Sequence, residues 1–190
     1  MAEDDHAQTP WKRGEEAWVF GYASLMRNPG FEVAEARVAR LPGYSRSFCM
    51  RSIHHRGTVE RPGLVLALDA DAGASCAGLA LRVAPGHEDA TLAYLREREL
   101  ISSAYIGRLL DLRLSDGRHV RAVAYVVDRD HDQYCGGLDL EEQAQIIAVS
   151  TGGRGPNHEY LSNTVAHLAE LGIEDAELAA LSARVATLRN

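Results

Sequence analysis

The sequence predicts an α+β fold built on a curled or closed antiparallel sheet. Three observations carry this prediction: many short strand-like segments over the first two thirds, one helix inserted among them, and a C-terminal third that reads as helical. The 190 residues suit one domain and are enough to bury a sizeable core without staples. Residues 1–16 are polar, charged and aperiodic, which predicts a flexible tail. No repeat, low-complexity stretch or linker divides the remainder of the chain, so residues 17–190 are expected as a single domain.

Taken in order, the elements each have a local reason. Ala17-Trp18-Val19-Phe20-Gly21-Tyr22 is a short apolar run rich in β-formers, stopped by Ala23-Ser24. It reads as a buried strand running into a loop. Asn28-Pro29-Gly30 is a turn, and Tyr44 to Met50, Leu64 to Leu68 and Ala77 to Val83 are further strand pieces. Ile106 to Leu114 and His119 to Val127 flank Ser115-Asp116-Gly117-Arg118, which predicts a hairpin. Leu110, Leu112 and Leu114 alternate with Asp111 and Arg113, so one face of that strand should meet the core.

Helices interrupt and complete the pattern. After Pro85-Gly86, residues 87–100 hold no Gly or Pro and many good helix formers. Asp139 with Glu142 three residues later is a capping box opening a helix to about Val149. Residues 150–156 read as a loop, and Asn157 as the cap of a helix that stops at Gly172. A last helix carries Leu178, Leu181, Val185 and Leu188 at spacings of 3, 4 and 3, an amphipathic stripe.

Charge and composition exclude several functions. Lys and Arg total 20 against 27 Asp and Glu, a formal net charge of −7, and no basic cluster exceeds two consecutive residues. Such a chain repels phosphate backbones, which argues against nucleic acid as a partner. No apolar run approaches the roughly 20 residues needed to span a bilayer. The N-terminal Met1-Ala2-Glu3-Asp4-Asp5 is acidic where a signal peptide would be basic and then apolar. Cys49, Cys76 and Cys135 are odd in number and scattered, as expected of thiols in a reducing compartment. A cytoplasmic location is the expectation. The histidines, including the adjacent His54-His55, show no metal-binding spacing, so no metal site is expected.

Two stretches could carry chemistry. Leu92, Leu95 and Glu99 stand at i, i+3 and i+7 on one helical face, with Arg96, Glu97 and Arg98 pointing elsewhere. An apolar stripe therefore ends in a carboxylate. Burying an ionised Glu without partners is expensive, so such a group pairs, lies past the helix end, or is kept for chemistry. Desolvation would lift its pKa toward general-base values. The second stretch is Gly21-Tyr22-Ala23-Ser24-Leu25, a small-residue loop after a buried strand, where backbone N–H groups can hold a carboxylate or oxyanion. It has neither the spacing of a P-loop nor a G-x-S-x-G frame around Ser24. Gly152-Gly153-Arg154-Gly155 reads as a helix-connecting loop rather than a phosphate cradle.

Together these stretches resemble the ChaC family of glutathione-specific γ-glutamylcyclotransferases. Val19-Phe20-Gly21-Tyr22-Ala23-Ser24-Leu25 is similar to the family's V-F-G-Y-G-S-L, and Tyr94-Leu95 with Arg98-Glu99 to the segment bearing its catalytic glutamate. Pro42-Gly43-Tyr44-Ser45-Arg46-Ser47-Phe48, His55-Arg56-Gly57, Pro62-Gly63 and Gly155-Pro156-Asn157-His158-Glu159-Tyr160-Leu161 complete the likeness, which runs from about residue 17 to 170. The resemblance implies a small antiparallel or mixed β-barrel flanked by helices. It implies Glu99 as general acid/base, with Gly21, Tyr22, Ala23, Ser24, Leu25 and Met26 as the substrate loop. Tyr105 and Tyr160 stand where the family has tyrosines near the pocket.

The implied reaction converts glutathione to 5-oxoproline and Cys-Gly without a cofactor, so the expected partner is a small-molecule γ-glutamyl compound. Two departures stand out: Ala23 where the family usually has Gly, and His54 where some relatives carry Asp. They leave open a cyclotransferase for other γ-glutamyl amines or amino acids. A non-catalytic binding or regulatory module on the same fold is the other alternative.

Overall fold

The structure is a computed structural model and describes residues 11–100 and 104–190. Two compact units emerge, one drawn from Met1–Arg46 and Leu68–His131, the other from Ser47–Ala67 and Asp132–Asn190. The first ten residues of the expected tail lie outside the described residues. Of the rest, Glu15 N–H closes a turn on the Lys12 carbonyl at 3.2 Å and Arg13 pairs with Asp89 at 2.8 Å.

The first unit is organised by a closed five-stranded barrel. The barrel strands are β1 (Trp18–Gly21), β2 (Val33–Ser52), β3 (Gly63–Val83), β4 (Tyr105–Leu114) and β5 (His119–Val127), in the order β1-β3-β2-β4-β5, with the end of β2 from Ser47 and the start of β3 to Ala67 counted in the second unit. Strand directions are mixed. β1 runs antiparallel to β3, with Val19 opposite Leu81, and parallel to β5, with Val19 opposite Val123. β4 and β5 form the expected hairpin, in register from Tyr105–Val127 to Arg113–His119. Gly117, at φ 93°, supplies the left-handed residue its turn needs.

β2 and β3 are each one long strand where the sequence suggested shorter pieces. Asp69-Ala70-Asp71-Ala72-Gly73-Ala74-Ser75 has few β-formers and separates two apolar runs. The strand runs through it nevertheless. Val19, Phe20, Leu41, Leu68, Leu81, Leu95 and Leu112 are fully buried, each contributing about 1.5–3 kcal/mol on transfer from water. Leu112 and Leu114 face the core as the alternation predicts, whereas Leu110 is only half-buried. A single turn, α1 (Ser24–Arg27), follows β1, and α2 (Glu88–Leu100) links β3 to β4.

The second unit is helical. α3 (Leu140–Val149) opens with the expected capping box: Glu142 N–H donates to Asp139 at 2.8 Å and Asp139 N–H to Glu142 at 2.9 Å. α4 (Asn157–Glu170) ends before Gly172, at φ 71°, the predicted stop. α5 (Ala176–Arg189) buries Leu178, Leu181 and Val185, while Leu188 is exposed and falls off the stripe. Between α3 and α4 the predicted loop folds into a minimal hairpin, β6 (Thr151–Gly152) and β7 (Gly155–Pro156). Among the described residues, no helix is long and apolar enough to cross a membrane.

Asn157 corrects the sequence reading in detail. Pro156 is the cap of α4, and Asn157 is its first helical residue, fully buried. Its Oδ1 accepts from Leu64 N–H and its Nδ2 donates to the Leu64 carbonyl, both at 2.8 Å. A side chain expected to hold its own helix holds a strand instead.

Candidate active site

The loop after β1 owes its shape to two residues. Gly21 lies so close to α1 that an added Cβ would sit 3.0 Å from Met26 N, leaving little room for any side chain. Arg46, only 7% exposed, donates from Nη1 to the Tyr22 carbonyl at 2.9 Å and to the Ala77 carbonyl at 3.0 Å. In a planar trans peptide the N–H opposes the C=O, so anchoring the Tyr22 carbonyl sets the direction of the Ala23 N–H. Tyr22, Leu25 and Met26 are buried, Ala23 is half-buried and Ser24 is exposed. Met26 N–H donates to the Ala23 carbonyl at 3.1 Å, closing the single turn of α1.

Ala23 has φ −148°, outside the left-handed region. The departure from Gly at this position therefore carries no left-handed backbone strain.

Glu99 stands in the last turn of α2. Leu92 and Leu95, on the same face, are buried, and the Glu99 side chain is 16% exposed. Burial pushes its pKa above the ordinary carboxylate value, and the neighbouring Arg98 partly opposes that rise. Arg98 does not point away, as the helical projection suggested. Its Nε lies 3.5 Å from Glu99 Oε1, and its Nη2 is 3.4 Å from Ser24 Oγ. Nη1 donates to the carbonyls of Asn28 at 2.8 Å and Pro29 at 3.1 Å. One guanidinium thus touches both the loop after β1 and the carboxylate of α2.

Sequence reasoning missed two other residues of this unit. Arg46 lies in the Pro42 to Phe48 stretch of the family likeness, but nothing local marks it as an anchor of the loop after β1. Tyr125, on β5, is 1% exposed, and its hydroxyl has no hydrogen-bond partner among the described residues. Burial raises its pKa first, and the charge of Glu99 raises it further. Tyr105 opens β4, half-buried, opposite Val127.

Tyr160 belongs to the second unit. Its hydroxyl accepts from Leu66 N–H at 3.2 Å, its ring meets Phe48 edge-on at 5.9 Å, and the Arg56 guanidinium lies 5.5 Å from its centroid. Arg56 also donates to the Pro156 carbonyl at 3.2 Å. A Cβ on Gly63 would collide with the Arg56 carbonyl oxygen and lie 2.8 Å from Asn157 Oδ1. His55-Arg56-Gly57, Pro62-Gly63 and Gly155 to Tyr160 are therefore mutual contacts. His54, at the second departure, is exposed, and its carbonyl accepts from Gly153 N–H at 2.7 Å.

Residues 17–188 match the ChaC-like protein family. The chain belongs to that family. Among ChaC-like relatives, the glutathione-specific γ-glutamylcyclotransferase of Escherichia coli is 36% identical over 158 residues, 83% of this chain and 68% of that one. Glutathione-specific γ-glutamylcyclotransferase 1 of Homo sapiens is 31% identical over 188 residues, 96% of this chain and 85% of that one. The crystal structure of the yeast γ-glutamyl cyclotransferase specific to glutathione superposes with a TM-score of 0.82 at 25% identity, covering 93% of this chain and 98% of that one.

Proposed function

We propose that this protein is a γ-glutamylcyclotransferase that cleaves glutathione to 5-oxoproline and Cys-Gly in the cytoplasm, with residues 17–190 acting as one domain. One observation carries the reading: Arg98 reaches both Ser24, in the short loop after β1, and Glu99, a mostly buried carboxylate with a raised pKa. The activities named for the ChaC-like relatives support it.

In the proposed reaction the loop from Gly21 to Met26 grips the γ-glutamyl head and polarises its γ-carbonyl through backbone N–H groups. Glu99 accepts a proton from the α-ammonium. The freed amine attacks the γ-carbon, forming the lactam C–N bond of 5-oxoproline. The amide bond to cysteine then breaks: Glu99 returns its proton to the departing nitrogen, and the second proton shed by the attacking nitrogen passes to the same amine, which leaves as an ammonium. Atoms balance without water, metal or redox partner. Tyr105 and Tyr160 are assigned to the pocket by the family resemblance.

Purified protein is offered glutathione, γ-glutamyl amino acids and γ-glutamyl amines in parallel. The reading expects equimolar 5-oxoproline and Cys-Gly from glutathione at the highest kcat/KM. Preference for another donor would overturn the substrate. No 5-oxoproline from any donor would overturn the reaction and favour a binding module.

A further inference from the structure

The guanidinium of Arg98 is committed on one side and loosely met on the other. Its Nη1 donates to the carbonyls of Asn28 at 2.8 Å and Pro29 at 3.1 Å and lies 3.1 Å from the Tyr94 hydroxyl. These bonds fix the plane of the group. The other edge, Nε with Nη2, presents two parallel N–H bonds, the fork that suits a carboxylate. Its protein neighbours stand beyond the usual N–H···O distance of about 2.7–3.2 Å. Glu99 Oε1 is 3.5 Å from Nε, and Ser24 Oγ is 3.4 Å from Nη2. Solvent reaches these groups: the Arg98 side chain is 22% exposed, that of Glu99 16%, and Ser24 is exposed.

Resting on the function proposed above, we infer that Arg98 is a substrate-binding residue: its Nη2 N–H, with the Ser24 hydroxyl donating alongside, holds the α-carboxylate of the γ-glutamyl head while Glu99 faces the α-ammonium. Both substrate charges sit on one carbon, so the carboxylate lies within about 3 Å of an ammonium nitrogen set against Glu99. Arg98 and Glu99 match that arrangement, a cation and an anion 3.5 Å apart. Without the guanidinium, the α-carboxylate would meet only the like charge of Glu99 in a partly desolvated place. Holding the α-carbon at two points also settles which way the amine turns toward the γ-carbonyl, which one contact with Glu99 cannot do. The guanidinium needs little ordering when substrate arrives, because Asn28 and Pro29 already hold it. The site therefore selects compounds with a free α-carboxylate over neutral amides of the same shape.

The test compares two substrates on wild type and Arg98→Gln: glutathione, and glutathione whose α-carboxylate is replaced by a carboxamide. Release of Cys-Gly reads both. Wild type should prefer glutathione by about 10- to 100-fold in kcat/KM, the range of a hydrogen bond to a charged group. In Arg98→Gln the preference should collapse to within about threefold. Loss of the bonds to Asn28 and Pro29 slows both substrates alike, and any difference in amine reactivity is common to both proteins, so neither alters the comparison of ratios. A wild type that turns over both substrates equally well would overturn the inference. So would an Arg98→Gln protein that keeps the wild-type preference. If the glutamine protein does not fold, Arg98→Lys answers instead, since its ammonium cannot reproduce the fork. Its preference should fall at least threefold, and an unchanged preference would overturn the assignment to Arg98. A wild type inactive on glutathione is a separate failure: it overturns the proposed function, and this inference with it.

Discussion

The buried guanidinium of Arg46 donates to the carbonyl oxygen of Tyr22 at 2.9 Å. Through the planarity of that peptide it controls the amide of Ala23, on a loop that is otherwise a single short turn. Arg46→Lys keeps the charge but replaces a planar fork with a point donor that cannot reproduce the shared bonds to Tyr22 and Ala77. Loss of roughly tenfold or more in kcat/KM is expected, with a lower melting temperature. Steady-state kinetics beside a thermal melt checks this. Wild-type kcat/KM in the variant would mean that the loop holds its own shape.

Ala23 supplies a prediction with the opposite sense to its family context. Its φ of −148° lies outside the left-handed region, so restoring glycine relieves no left-handed strain. Ala23→Gly should therefore not raise kcat/KM, which steady-state kinetics on glutathione checks. A variant that is more stable and faster would show that alanine distorts the loop.

Arg98 sets the pH range of the proposed base. Burial raises the Glu99 pKa and Arg98 lowers it, so removing the guanidinium must raise it further. A general base works deprotonated, and activity is lost as pH falls through its pKa. In Arg98→Met the acid limb of the kcat/KM profile should therefore move to higher pH. A limb that stays put, or moves to lower pH, would separate Arg98 from the titration of Glu99.

Asn157 should matter to the fold. Asn157→Ala strands the N–H and carbonyl of Leu64, both bonded to its side chain at 2.8 Å in a fully buried position. Each buried group left unsatisfied costs about 1–3 kcal/mol. A clear drop in the urea midpoint is expected, and an unchanged midpoint would contradict the bonding described.

Features that rest on local chemistry were legible in the sequence. The capping box at Asp139 and Glu142, the turn at Gly117 and the helix stop at Gly172 each follow from one or two residues whose backbone role is nearly obligatory. So does the face that joins Leu92, Leu95 and Glu99, because helical spacing alone aligns them. What escaped depends on partners far along the chain. The weak β-formers of Asp69 to Ser75 lie within β3 all the same. Asn157 bonds a strand 93 residues away, and Arg46 a loop 24 residues away. Helical projection turns Arg98 away because it places only the Cβ, whereas a long side chain can bend back. The orphan hydroxyl of Tyr125 had no sequence signal, since any tyrosine fits that position of a buried strand.

The central claim is that Glu99 moves the proton in a cyclisation of glutathione. Its most direct test is 5-oxoproline release from glutathione by wild type and Glu99→Gln, measured side by side on folded protein. Glutamine keeps the shape and hydrogen-bonding reach of the side chain but cannot accept and return a proton. The account predicts release by wild type and a loss of roughly 10²–10⁴-fold in the variant, the usual worth of a general acid/base. A Glu99→Gln protein that releases 5-oxoproline at the wild-type rate would contradict it.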